Sequence, residues 1–126
     1  VKAAMVSIGL LLLIVTVTFW EMGYVEDSLN ALIFDVEQTV EAYHSQDYEA
    51  VAKKIDELEK IWQQEQKKFC SIVTMNQLNS IEIAIQKMRV YSQYRNGPLF
   101  EAESELIKGL MRQICDAEKA TLYNFF

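Results

Sequence analysis

The chain has 126 residues, 12 Lys and Arg against 18 Asp and Glu, a net charge of −6, and a 51% hydrophobic composition. This balance excludes the clustered basic surface that nucleic acid rewards and a polybasic face for anionic lipid. An acidic exterior suits solubility or a basic partner equally well.

The first element is an uncharged apolar run from Ala3 to Trp20, AAMVSIGLLLLIVTVTFW. About 18 or more uncharged apolar residues are what a bilayer-spanning helix requires. The run predicts a membrane anchor over 1–22, with Ala3, Leu10, Leu13 and Trp20 among the residues that hold it. Lys2 is the only charge before the run, and no Lys or Arg follows until Lys53. Basic residues stay on the cytoplasmic side, so the expected topology is a single pass through the cytoplasmic membrane, N-terminus inside and the remainder outside. Trp20 and Tyr24 fall where an interfacial aromatic belt forms. Two other readings compete. A cleaved signal peptide needs a small-x-small site after its apolar core, whereas the residues from Val17 to Tyr24 are mostly bulky. A buried core helix needs a domain large enough to surround it, and this chain is small.

The remainder, 23–126, predicts one extracytoplasmic helical domain. The chain has one Pro and four Gly. Of these, Gly9 and Gly23 lie in or just after the anchor, Gly97 and Pro98 sit together between periodic segments, and only Gly109 interrupts a helical pattern. A chain so poor in breakers reads as all-α. The anchor is expected to continue as a helix whose stripe is Leu29, Leu32, Ile33, Val36, Val40 and Tyr43, with Gly23 a candidate flex point. Ser45-Gln46-Asp47 then breaks the pattern, Asp47 serving as N-cap of the next helix.

That helix runs from Tyr48 to about Val73. Val51, Ile55, Leu58, Trp62 and Phe69 form a heptad-like, coiled-coil seam. Glu49–Lys53 and Asp56–Lys60 have the favourable i, i+4 order. A third helix over 76–95 carries Leu78, Ile81, Ile85 and Met88, extended by Tyr91 and Tyr94. Asn96-Gly97-Pro98 closes it, Gly97 being suited to the left-handed position after a helix. A fourth, from Leu99 to about Lys119, has Leu99, Leu106, Leu110 and Ile114 as its stripe, with Ala102 and Ala117 allowing close approach. Residues 121–126 are apolar enough to pack back on the body. Short connections favour antiparallel neighbours. The expected fold is an N-terminal transmembrane helix continuing into an antiparallel up-down bundle of three to four helices.

Groups that could carry chemistry are few. His44 is the single histidine. Glu41 and His44 make the Glu-x-x-His spacing of di-iron bundles, but those sites need two such motifs. A histidine interacting with its helix C-terminus is the simpler reading. No Cys-x-x-Cys or Gly-rich phosphate loop is present, so no catalytic residue, cofactor or metal is assigned. Glu37–Glu41 and Glu101–Glu105 read as solvated acidic faces. Cys70 and Cys115 fall at the same end of an antiparallel bundle. They are either a candidate disulfide, which an extracellular compartment allows, or two partly buried thiols. Trp62, Tyr91 and Tyr94 are candidate partner contacts as well as candidate core aromatics.

The matching stretches Asp47-Tyr48-Glu49-Ala50, Trp62, Leu78-Asn79-Ser80-Ile81-Glu82-Ile83, Met88, Val90, Tyr91, Ile114-Cys115-Asp116-Ala117-Glu118 and Leu122-Tyr123-Asn124-Phe125 resemble domain-of-unknown-function family 4363. The resemblance covers nearly the whole chain. It departs from the family's pattern at Met75 to Gln77 and at Gln113-Ile114. It implies a small protein with an N-terminal membrane helix and a helical remainder, of the kind found in clostridia and related Gram-positive bacteria. It implies no activity. It points to a partner that is another integral membrane protein. The leading expectation is a non-enzymatic accessory or scaffold subunit, with the lipid bilayer and a membrane protein as partners, no nucleic acid, and room for a homo-oligomer. The alternative is an extracytoplasmic bundle that senses or binds a small ligand between its helices.

Overall fold

A computed structural model describes the backbone of residues 1–69 and 74–125, and their side chains except at 18–19, 21–25 and 121–125. Four helices follow one another: α1 (Lys2–His44), α2 (Tyr48–Phe69), α3 (Met75–Gln93) and α4 (Gly97–Phe125). α1 packs against α2 and α4, and α3 packs against the same two, so the helices close into an antiparallel ring around one core. The all-α bundle expected from the sequence is the fold observed, with four helices among the described residues.

The stripe of α1 is buried from Leu29 to Val36, with Val40 and Tyr43 packed at its margin. The whole α2 seam (Val51, Ile55, Leu58, Trp62 and Phe69) is buried, and so are Leu78, Ile81, Ile85 and Met88 of α3. Such stripes exist because residues three and four apart share a helix face, and burying that face drives assembly. Two buried hydroxyls are satisfied locally: Thr39 Oγ1 donates to the Asp35 carbonyl at 2.7 Å, and Ser104 Oγ to the Glu101 carbonyl at 2.7 Å.

α4 departs from expectation. Its buried stripe is Phe100, Ser104, Ile107, Met111 and Ile114, whereas Leu99 and Leu106 are 43% and 49% exposed. Both stripes repeat at helical spacing and they lie side by side. The one with a serine in it is the one that faces the core. The backbone past Lys119 does not fold back but continues α4 to Phe125. α1 runs through Gly23 without a break. Asp56, paired with Lys60 in the sequence reading, is taken up across the helix interface by Arg89.

Two hairpins share one turn. After α1, Gln46 adopts φ 60°; its N–H donates to the Tyr43 carbonyl, and the Asp47 N–H to that of Ala42. After α3, Arg95 adopts φ 56°; its N–H donates to Ser92, and that of Asn96 to Tyr91. These are Schellman closures. Each is followed at once by a side-chain N-cap: Asp47 Oδ1 accepts from Ala50 N at 3.3 Å, and Asn96 Oδ1 from Leu99 N at 3.3 Å. The left-handed position expected at Gly97 therefore belongs to Arg95, and Gly97 opens α4 instead. α3 begins with a capping box in which Thr74 and Gln77 exchange side-chain-to-backbone hydrogen bonds.

Replacing Asp47 or Asn96 by Ala should each lower stability by about 1 kcal/mol, read as a lower urea midpoint at unchanged slope. Gly109→Ala should raise it by up to about 1 kcal/mol, because a Cβ there meets nothing within 4 Å. Burial, with Glu57 adding to it, raises the Asp35 carboxyl above its ordinary 3.8, against the pull of Lys54. The folded state therefore binds this proton more tightly than the unfolded chain, and stability falls as pH rises through that raised range. Asp35→Asn should increase the melting temperature at neutral pH, and the gain should vanish as the pH falls below the ordinary carboxylate range.

Candidate functional site

The outward surfaces of the bundle differ in chemistry. On the α2–α3 side, Arg89 of α3 reaches both Asp56 and Glu59 of α2. Gln86 Nε2 donates to Glu59 Oε1 at 2.6 Å. Hydrogen bonding to Asp56 and the two neighbouring carboxylates hold the guanidinium's pKa above its usual value despite partial burial. This network pins α3 to α2 and leaves that seam polar.

The outer side of α3 and the edge of α4 carry several exposed apolar side chains. Ile83 and Val90, one heptad apart on α3, are 55% and 44% exposed, and Tyr94 follows at 81%. Leu99 and Leu106, again one heptad apart, occupy the edge of α4 next to α3. The three-residue turn makes the two helices antiparallel neighbours, so Tyr94, Val90 and Ile83 run alongside Leu99 and Leu106. A shallow groove of ≈ 470 Å³ follows α3 here, lined by Ile83, Val90 and Tyr91 with Glu82, Gln86 and Lys87. Exposed apolar side chains interleaved with charged and amide groups, as in this groove, are the surface chemistry of a protein-binding face.

The twin turns meet at one end of the bundle. Tyr43 stacks on Phe100 with ring centroids 4.3 Å apart and meets Tyr48 edge-on at 5.6 Å. The Arg95 guanidinium lies 4.2 Å above the Tyr48 ring. His44 Nε2 is 2.6 Å from Glu101 Oε1, joining α1 to α4. Burial raises the Tyr43 phenol above its usual pKa. A hollow of ≈ 280 Å³ lies beside this cluster, with Tyr48, Arg89, Ser92 and Arg95 in its wall. His44 thus bridges two helices. Among the described residues, no group of three or more His, Cys, Asp and Glu side chains could hold a metal ion.

Trp62, a candidate contact, is fully buried and stacks on Phe69 at 6.0 Å, so it belongs to the core. Its indole N–H has no hydrogen-bond partner. Tyr91 is half-buried against the core, and Tyr94 stands free on the apolar face. Cys70 lies outside the described residues. Cys115 is a half-buried free thiol whose pKa is raised by burial and then by Glu26.

At the opposite end, α1 leaves the ring. From Met5 to Val17 its large apolar side chains stand exposed, half-buried Val15 apart, including the consecutive residues Leu10 to Ile14, and Ala3 and Trp20 are exposed too. The two hydroxyls in this stretch fold back on the helix: Ser7 Oγ donates to Ala3 O at 2.9 Å, and Thr16 Oγ1 to Leu12 O at 2.8 Å. Among the described residues, no helix is long and apolar enough to cross a membrane. The run expected to do so includes Thr18 and Phe19, whose side chains lie outside the described residues.

No curated protein and no solved structure matches the chain. Residues 19–125 match the family described as a domain of unknown function, DUF4363. That match takes in α2, α3, α4 and the part of α1 from residue 19 onward, and the chain belongs to this family.

Proposed function

We propose that the protein is a non-enzymatic accessory or scaffold subunit, anchored in the cytoplasmic membrane by residues 3–20, with its N-terminus inside and its bundle outside. Its α3–α4 face binds another integral membrane protein. One observation carries this reading: among the described residues, the large apolar side chains that the four-helix core leaves uncovered gather in two places, all round α1 before Trp20 and along α3 with the near edge of α4, while Phe34 and Met75 stand apart from both. Water penalises both. Hydrocarbon suits the first, because a lipid-exposed helix must satisfy every polar group internally, and the Ser7 and Thr16 hydroxyls do so. A partner's apolar side chains suit the second. The orientation rests on Lys2 lying before the run and on the lack of any Lys or Arg after it until Lys53.

The second reading is a small-ligand sensor, which the hollow beside Arg89 and Arg95 favours. It differs in needing no apolar partner surface.

The test is purification of the tagged full-length protein from mild detergent, with mass spectrometry of what accompanies it. A stoichiometric integral membrane protein is expected with the native chain. The doubly substituted Val90→Glu, Leu106→Glu chain should lose it while keeping its helical circular dichroism and its melting transition. Recovery of the native chain alone, as monomer or homo-oligomer, would sink the subunit reading and send ligands to the hollow instead.

A further inference from the structure

Beyond the level where Glu26 meets Lys119, α4 carries no charge and α1 carries one, Glu21, before its uncharged run. Before Glu21, α1 carries nothing charged back to Lys2, and after Lys119, α4 carries nothing charged through Phe125. The register between them is fixed by Lys119 Nζ, 3.2 Å from Glu26 Oε1. From this clasp α1 runs back towards Trp20 and α4 runs on towards Phe125. Each covers six residues, about 9 Å at the helical rise. The two helices are antiparallel neighbours, so position 125 is level with Trp20 and position 123 with position 22. Trp20 is 79% exposed. The sequence of that last turn of α4 is Leu122-Tyr123-Asn124-Phe125. Spacing by three and four from Met111, Ile114 and Glu118 places positions 122 and 125 in line with the buried stripe and position 123 off it.

We propose that the last turn of α4 rests on the phospholipid headgroup layer beside Trp20, so that the bundle meets the bilayer through two helices rather than one. The inference rests on the anchor reading above. A tyrosine with an apolar ring and a polar tip, on a turn free of charge and level with an exposed tryptophan, has the chemistry of the membrane interface. Glu26 and Lys119 neutralise each other just above that level, and Glu21, next to Trp20 in the sequence, falls at the level of the polar headgroups.

The full chain in phosphatidylcholine nanodiscs, with Cys70 and Cys115 replaced by Ser, tests this. Single nitroxide labels are placed at Leu11, Tyr123 and, as an aqueous reference, Glu49, and their collisions with oxygen and with a nickel chelate are measured. The label at 123 should collide with nickel several-fold less than the label at 49, and more than the label at 11, which should be rich in oxygen. Equal nickel access at 123 and 49, with 11 in hydrocarbon, would overturn the second contact and leave the anchor standing. A label at 123 shielded from both reagents would place it against protein and overturn the contact as well. A label at 11 open to nickel would overturn both readings. A chain carrying Trp20→Phe and Tyr123→Trp gives an independent readout, since lipids brominated near the headgroup should quench the new indole while buried Trp62 stays bright. An unquenched indole at 123 would overturn the contact.

Discussion

Closure of four apolar stripes around Trp62 is the constraint on which everything else depends. Each helix brings one buried face, and the phase of that face decides what the other residues of the helix can do. In α3, burying Leu78, Ile81, Ile85 and Met88 turns Arg89 towards α2 and leaves Ile83 and Val90 outward. In α4, burying Phe100, Ile107 and Met111 puts Leu99 and Leu106 at the edge beside α3. The apolar outer face is therefore a product of core phase, built from residues the core had no room to use. The unpaired indole N–H of Trp62 is a cost within this arrangement. A buried donor without a partner costs about 1–3 kcal/mol, which the packing of so large a side chain offsets.

The twin turns make the bundle two hairpins of one design. A left-handed residue followed directly by an Asx cap reverses the chain in three residues, in each case without glycine at the left-handed position. Because both turns lie at one end, their flanking aromatics meet. The Tyr43–Phe100 stack and the His44–Glu101 contact join the hairpins there, and Glu26–Lys119 joins α1 to α4 near the other end.

Most of the fold was legible in the sequence, since the stripes of α1, α2 and α3 are read directly from helical spacing and Asp47 caps as its position predicts. The errors have local causes. In α4 two apolar stripes compete, and periodicity has no term for the facing helices that choose between them. At the second turn Gly97 drew the left-handed assignment because it lacks a Cβ, while the hydrogen-bond pattern set by Asn96 as N-cap moved that position back to Arg95. The Thr74-x-x-Gln77 capping box was present as a signal and marks the start of α3. The outer face was hidden by the same ambiguity as the stripe: Leu99 and Leu106 looked like core, and Trp62, Tyr91 and Tyr94 fitted a core role and a contact role alike. Tyr94 alone among the three aromatic candidates stands clear of the core.

The absence of a break at Gly23 has a mechanical meaning. α1 is one rod of 43 residues, about 64 Å long, embedded in the ring over its second half. A rod without a joint transmits tilt and rotation undiminished, so any change in how its first half is seated is felt at the twin turns as a displacement of the whole bundle. It also acts as a ruler. With Trp20 at the surface of a bilayer, the 24 residues to His44 set the far end of the bundle about 36 Å away, and a protein that meets the α3–α4 face must present its own surface within that height.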